Sequence, residues 1–263
     1  MRFPALIAVL LAAAPALAQQ DTRLQALQTG DQTRGWEAVG RLNMNGVGFC
    51  TGTLIAEDRV LTAAHCLFDR RTGQRIDESR LEFLAGWRTG RAEAIRGVRR
   101  AAIWPGFDFS AGAELGNVPT DIAVLELDRP IRTTGIHPFA ISHRVAEPGA
   151  PVAVVSYARD RSEAPSIQET CHVLDQRRDG VSVFSCDIDF GSSGSPVFMA
   201  DDRGLGIVSV ISARAEQQDR PISLGMRLGG RVDALLAALD AEVPDAASGQ
   251  LQGARTTARF LRP

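Results

Sequence analysis

The sequence contains no lysine: all 29 basic residues are arginine, set against 31 acidic residues, for a net charge of −2. The arginines are scattered and form no stripe. A chain this close to neutral has no electrostatic reason to bind nucleic acid or an anionic membrane surface, and we expect neither partner. With 263 residues, 44% of them hydrophobic, the chain has the composition of a globular protein.

Long apolar runs are absent after the first residues. The opening MRFPALIAVLLAAAPALAQQ carries one positive charge at Arg2, an apolar run through Ala14 and a small-x-small ending before Gln19. This pattern is typical of a secretory signal peptide over 1–18, and it is too short to span a membrane. A buried N-terminal helix is the alternative. We expect an exported monomer, secreted or periplasmic, that is free of the membrane once the signal is removed.

Cysteine is scarce, and the four cysteines all follow the signal: Cys50, Cys66, Cys171 and Cys186. In an exported chain they predict two disulfides, with three pairings open. The local pairing closes two loops of similar size, each contributing about 3 kcal/mol on the chain-entropy model. Zinc binding is the competing use, but no two of these cysteines form a close CxxC-type pair, so we expect no metal.

Short runs rich in valine, isoleucine and leucine begin at Trp36 and are separated by glycine, proline and asparagine: EAVGRLNM, GFCTGTLI, RVLTAAH, DIAVLEL, APVAVVSY, VSVFSCDI and GLGIVSVIS. They predict an all-β barrel or sandwich over 36–243 rather than βαβ units. A helix is predicted over 230–242, where leucines and a valine recur at helical spacing. Residues 19–35 are polar without strand alternation, which indicates a pro-segment or a loose leader. Residues 244–263 are small and polar, as in a flexible tail.

Three stretches carry residues suited to nucleophilic catalysis. In VLTAAHC (60–66), His65 precedes a cysteine expected to be bridged, which would fix the orientation of a general base. In PTDIAVLEL (119–127), Asp121 precedes an apolar strand, and a carboxylate there needs a partner because burying it unpaired is costly. Taken singly, the first residue is better explained as a core histidine and the second as a turn aspartate.

The third stretch is GSSGSP (191–196), which lies between two apolar runs where a flexible linker is not expected. A serine nucleophile needs a tight backbone bend and amide N–H groups directed at the developing oxyanion. Ser193 has a glycine two residues before it and another directly after it, which permits such a bend, and neither Ser192 nor Ser195 has that flanking.

In this order, GFCTGTLI…RVLTAAHC, TDIAVLEL and GSSGSPVF resemble the motifs of the chymotrypsin/trypsin-like serine peptidases. The G-x-S-G-S-P form is similar to the bacterial branch that includes glutamyl endopeptidases. The resemblance extends from about Trp36 to near Glu242 and implies two six-stranded antiparallel β-barrels with a C-terminal helix. It also implies a peptidase that acts on proteins or peptides without a cofactor. The order His, Asp, Ser separates the chain from the α/β-hydrolases, in which the serine comes first.

Carried over by residue, the resemblance makes His65 the general base, Asp121 its orienting partner and Ser193 the nucleophile, with the amides of Gly191 and Ser193 as the oxyanion hole. Ser192 stands where trypsin-like zymogens have an aspartate that pairs with a newly cut N-terminus. We therefore expect activation without that ion pair.

The cysteines fit the same resemblance in part. The family places a disulfide between a cysteine before the base strand and one beside the histidine, which here are Cys50 and Cys66. A second bond, between Cys171 and Cys186, is predicted only from parity and context.

Substrate specificity is less readable from the sequence. Asp187 lies six residues before Ser193, the offset at which trypsin-like enzymes place the carboxylate that selects arginine or lysine. Glutamyl endopeptidases have a histidine on the next strand, at about the position of Val208, so a glutamate preference is disfavoured. Ile211 is expected to narrow the pocket toward small side chains. Two other functions would keep the same barrels: a secreted binding or adhesion protein without catalysis, and an esterase with the same machinery.

Overall fold

The computed structural model describes residues 20–112, 115–202 and 204–241. The predicted signal peptide over 1–18 and the tail over 244–263 lie outside them. In the described part of the chain, no helix is long and apolar enough to cross a membrane.

Strands dominate the described chain. They are β1 (Gln25–Ala26), β2 (Val39–Met44), β3 (Phe49–Ala56), β4 (Arg59–Thr62), β5 (Leu81–Ala85), β6 (Ala94–Ile103), β7 (Ala123–Leu127), β8 (Ala140–Ile141), β9 (Pro151–Ala158), β10 (Arg161–Gln176), β11 (Val181–Phe184), β12 (Pro196–Asp201), β13 (Gly204–Gln217) and β14 (Arg220–Arg227). The α-helices are α1 (Gly30–Thr33) and α2 (Arg231–Ala241).

The first barrel closes through the strand order β2-β3-β4-β7-β6-β5, with antiparallel pairing throughout. Strand β7 is buried along its whole length because its two neighbours, β4 and β6, and the helix α2 cover it. This coverage explains why both of its faces are mostly apolar in sequence. Leu42, Phe83 and Leu125 are each fully buried in this barrel's core.

The second barrel closes through β9-β10-β11-β14-β13-β12, and β12 pairs back onto β9. Strand β8 adds to β13 in parallel. The barrel has its own core of small and branched side chains around Val154, Phe184 and Val197. The chain then returns to the first barrel, where α2 packs on β6 and β7 through Val232 and Leu239.

The predicted fold is confirmed: two closed six-stranded antiparallel barrels followed by a C-terminal helix. The helix was predicted over 230–242 and spans Arg231–Ala241. Two disulfides join Cys50 to Cys66 and Cys171 to Cys186, so none of the four cysteines is a free thiol.

The segment before Trp36 is docked, so the expectation of a loose leader is wrong. Strand β1 pairs with Ser166–Ile167 of β10, and Leu27 is 4% exposed. The carboxylate of Asp21 lies 2.7 Å from Nδ1 of His172, which is on β10. The polar composition of this segment concealed these contacts, because an edge strand is held mainly by backbone hydrogen bonds and needs few apolar side chains.

Candidate active site

A cleft of about 590 Å³ opens between the two barrels. The first barrel lines it with His65, Phe109 and Asp121, and the second lines it with Phe190, Ser193 and Ile211. The structure therefore brings the three predicted catalytic side chains to one cavity, although they lie far apart in sequence.

His65 lies in a short 3-10 helix, Ala64–Leu67, that follows β4. The disulfide from Cys66 to Cys50 fixes this helix against β3. The backbone N–H of His65 donates to Oδ1 of Asp121 over 2.8 Å, and its Nδ1 lies 2.7 Å from Oδ2. These two contacts with one carboxylate fix both the backbone and the ring of His65.

Asp121 ends the 3-10 helix Val118–Thr120, just before β7, and is 3% exposed. Besides His65, its Oδ2 accepts a hydrogen bond from the hydroxyl of Ser212 on β13. Asp121 thus accepts from three donors, and a carboxylate acceptor at Nδ1 selects the tautomer of His65 that carries its proton on Nδ1. Nε2 is then left as the basic nitrogen.

Nε2 of His65 is buried and has no hydrogen-bond partner among the described residues. Since the ring also lines the cleft, this nitrogen is the group available to take a proton from a bound molecule. Hydrogen bonds between a general base and its nucleophile are often loose before substrate binds and tighten in the complex.

The three serines of GSSGSP occupy different environments. Ser192 is fully buried, and its Oγ lies within hydrogen-bond distance of the Asp189 amide and the Tyr157 carbonyl. Ser195 is fully buried and its Oγ has no partner in the described chain. Only Ser193 is partly exposed and lines the cleft.

Two glycines give the loop its shape, because both have a positive φ that other residues rarely adopt: +102° at Gly191 and +81° at Gly194. Both also lie against neighbouring atoms. A Cβ on Gly191 would lie 2.4 Å from the ring of Phe49, and one on Gly194 would lie 2.2 Å from the carbonyl oxygen of Thr51.

The backbone amides of this loop divide into two groups. Those of Ser192, Gly194 and Ser195 donate to carbonyls of Asp189, Ile211 and Ser192. Those of Gly191 and Ser193 have no acceptor among the described residues. Two unpaired amides beside a partly exposed serine are the donors that an oxyanion requires.

The structure does not bring all the predicted specificity residues to the cleft. Ile211 lines it, but Asp187 is exposed and outside it, because neighbouring residues in extended chain face opposite ways and Ile188 faces inward. Val208 lines a different cavity, beside His143.

Among the described residues, the side chains of Cys50, His65 and Cys66 are the one group close enough together to hold a metal ion. The disulfide uses both sulfurs, and zinc binds thiolates. The arrangement therefore suits proton transfer by His65 and does not suit metal binding.

Comparison with known proteins agrees with this geometry. The family model of the trypsin-like peptidase domain matches residues 50–207, more than half of the chain. The chain belongs to this family. The match includes His65, Asp121 and Ser193.

Individual relatives extend the comparison. The chain is 30% identical to serine protease 23 of Mus musculus over 170 residues, 57% of this chain and 43% of that protein. It is 26% identical to glutamyl endopeptidase of Bacillus licheniformis over 153 residues, 58% of this chain and 46% of that protein. The matches thus span less than half the length of these relatives. A solved structure of a Glu endopeptidase in complex with MPD has the same fold, with a TM-score of 0.67 at 18% identity over 83% of this chain and 97% of that one.

The contact at Gly194 generates a prediction. Gly194→Ala should lower the free energy of unfolding by about 2–5 kcal/mol, since it combines the strain of a positive φ with overpacking against Thr51. Gly90→Ala is the matched control, because Gly90 has the same φ of +81° with no atom within 4 Å of its Cβ position. It should cost only about 1–2 kcal/mol. Urea denaturation measures both, and equal losses would show that the contact at Gly194 carries no cost.

Proposed function

We propose that this protein is an exported serine endopeptidase that hydrolyses peptide bonds through an acyl-enzyme. His65, Asp121 and Ser193 form its triad. One observation carries the proposal: Asp121 fixes the ring of His65, and Nε2 is unbonded in the same cleft as Ser193, the only partly exposed serine of its loop.

In the first step, Oγ of Ser193 attacks the carbonyl carbon of the substrate while Nε2 of His65 takes the hydroxyl proton. The amides of Gly191 and Ser193 donate to the oxyanion that forms. His65 then gives its proton to the leaving amine, the C–N bond breaks, and an acyl-enzyme remains. Water attacks this ester by the same route in reverse, so the cycle needs no metal or organic cofactor.

The substrate class is proteins or peptides. Ile188 and Ile211 are both buried at the cleft, and we assign to them a narrowing of the specificity pocket toward small side chains. Asp187 does not select arginine or lysine, because its side chain lies outside the cleft.

Removal of the nucleophile is the first test. Ser193→Ala should lower kcat on the order of 10⁶-fold, because the triad residues act as a unit. Ser195→Ala is the matched control: its buried hydroxyl has no partner in the described chain, so kcat should stay within about twofold of wild type. A fluorophosphonate should label wild type at Ser193 and leave Ser193→Ala unlabelled. Failure to label the processed protein would instead favour a binding protein that keeps the barrels.

A peptide library tests the specificity assignment. We expect cleavage after small residues such as alanine, serine or valine, with no preference for arginine or lysine. Ile211→Gly should widen the preference to larger side chains, since it enlarges the pocket. Cleavage confined to arginine or lysine, and lost in Asp187→Asn, would contradict the assignment.

Processing of the N-terminus forms part of the proposal. We assign 1–18 to the signal peptide, 36–243 to the peptidase domain and 244–263 to a tail. The possible pro-segment over 19–35 should stay attached, because its removal would take Leu27 out of the core and leave the part of β10 that pairs with β1 without a partner strand. N-terminal sequencing and intact mass of the exported protein should therefore show Gln19 as the first residue. A start near Trp36 would show that the segment is removed after docking.

A further inference from the structure

Thr51 is a buried residue of the first barrel that takes no part in the proposed proton transfers. It follows Cys50 on β3 and is 0% exposed. Its polar atoms are directed mainly at the second barrel, where they meet the loop that carries Ser193.

Each polar atom of Thr51 has a partner. Its N–H donates to the carbonyl of Ser193 over 2.8 Å, and its Oγ1 donates to the carbonyl of Gly191 over 2.9 Å. Oγ1 also accepts from the N–H of Tyr157 on β9 over 3.0 Å. Its carbonyl accepts from Oγ1 of Thr62 over 2.9 Å. The hydroxyl direction is fixed, since it must accept from Tyr157 and donate to Gly191.

The hydrogen bonds of Thr51 affect the two proposed oxyanion donors, the backbone N–H groups of Gly191 and Ser193. The Gly191 carbonyl belongs to the peptide group before Ser192, and the Ser193 carbonyl belongs to the peptide group after Ser193. Because each peptide group is planar, Thr51 thereby holds the Cα atoms of Ser192 and Ser193, which bound the peptide group that carries the N–H of Ser193. The carbonyl of that same peptide group accepts from the N–H of Ser195. The position of that N–H therefore depends on Thr51, and its direction depends also on the bond from Ser195.

We propose that Thr51 is a positioning residue, whose hydroxyl holds the Gly191–Ser193 backbone in the conformation that presents the oxyanion donors. The proposal rests on the proposed peptidase function. The proposed role differs from a general packing role in two ways. It requires the hydroxyl of Thr51, and its loss should weaken the stabilisation of the transition state.

The same strand supplies a matched control. Thr53 is two residues further along β3, is 1% exposed, and its Oγ1 has no hydrogen-bond partner among the described residues. Valine replaces threonine with nearly the same shape. Thr51→Val and Thr53→Val thus remove one hydroxyl each from equally buried positions on one strand, and only the first hydroxyl contacts the catalytic loop.

In full-length protein, Thr51→Val should lower kcat about 10- to 100-fold with KM within about twofold, since a displaced oxyanion donor acts on the transition state. Affinity for a peptidyl trifluoromethyl ketone, which forms a tetrahedral oxyanion on the serine, should fall by the same factor. Affinity for a product peptide should not change. Thr53→Val should match wild type in all three measurements. A Thr51→Val enzyme with wild-type kcat and ketone affinity would overturn the proposal.

Thr51→Ser provides the rescue, because it keeps the hydroxyl, and its kcat should stay within about threefold of wild type. If Thr51→Val shows no cooperative unfolding transition, Thr51→Ser is compared with Thr51→Ala, and equal kcat in these two variants would overturn the proposal. Fluorophosphonate labelling separates the two proposals. An unlabelled wild type would contradict the peptidase function, whereas equal labelling rates for wild type and Thr51→Val would contradict only the role of Thr51.

Discussion

The carboxylate of Asp121 is the group on which the rest of the site depends. A charge at 3% exposure needs hydrogen-bond donors, and Asp121 obtains them from both barrels: the backbone and ring of His65 on one side and the hydroxyl of Ser212 on the other. Removing any donor would leave a buried charge less well compensated. The same requirement therefore aligns the imidazole and ties β13 of the second barrel to the start of β7 in the first.

The loop before β12 shows a second constraint. In this loop hydrogen-bond donors are left without acceptors, whereas the carboxylate of Asp121 is an acceptor supplied with donors. It keeps two amides unpaired, at Gly191 and Ser193, although the amides of Ser192, Gly194 and Ser195 donate to backbone carbonyls. Such an arrangement is unfavourable in isolation, because a donor without an acceptor loses a hydrogen bond. Neighbouring structure must therefore prevent the loop from relaxing. The glycine φ values of +102° and +81° permit the shape, Thr51 binds the carbonyl of Gly191, and the ring of Phe49 leaves no room for a Cβ at Gly191.

The sequence patterns predicted those strands whose residues both favour strand conformation and are buried in the folded protein. Runs such as DIAVLEL became strands because valine, isoleucine and leucine suit buried strands. The pattern missed β6, in which arginines interrupt the apolar residues, and β10, in which Pro165 lies where the register with β9 shifts. A proline is tolerated at such an irregularity, so its presence does not exclude a strand.

The three side chains that meet at the cleft could be predicted from the sequence because their neighbours mark them. His65 precedes a cysteine, Asp121 precedes an apolar strand, and Ser193 lies between two glycines. It did not indicate Thr51 or Ser212. Both are small polar residues within strands, and their significance comes from atoms more than 90 residues away in the chain. The offset of Asp187 from Ser193 did not indicate that its side chain lies outside the cleft, because counting along the chain does not fix the side on which a residue of extended chain faces.

Gln168 shows why the functional unit extends beyond the family motifs. This residue of β10 is 3% exposed, and its side chain bonds in two directions: Nε2 donates to the carbonyl of Thr22, and Oε1 accepts from the N–H of Asp187 over 2.7 Å. One amide thus links the N-terminal segment to the chain that leads into the loop of Ser193. Because both ends of a buried amide need partners, the loss of Thr22 would leave Nε2 to find another acceptor. The folded unit around the cleft therefore includes residues that precede Trp36, where the motif resemblance begins.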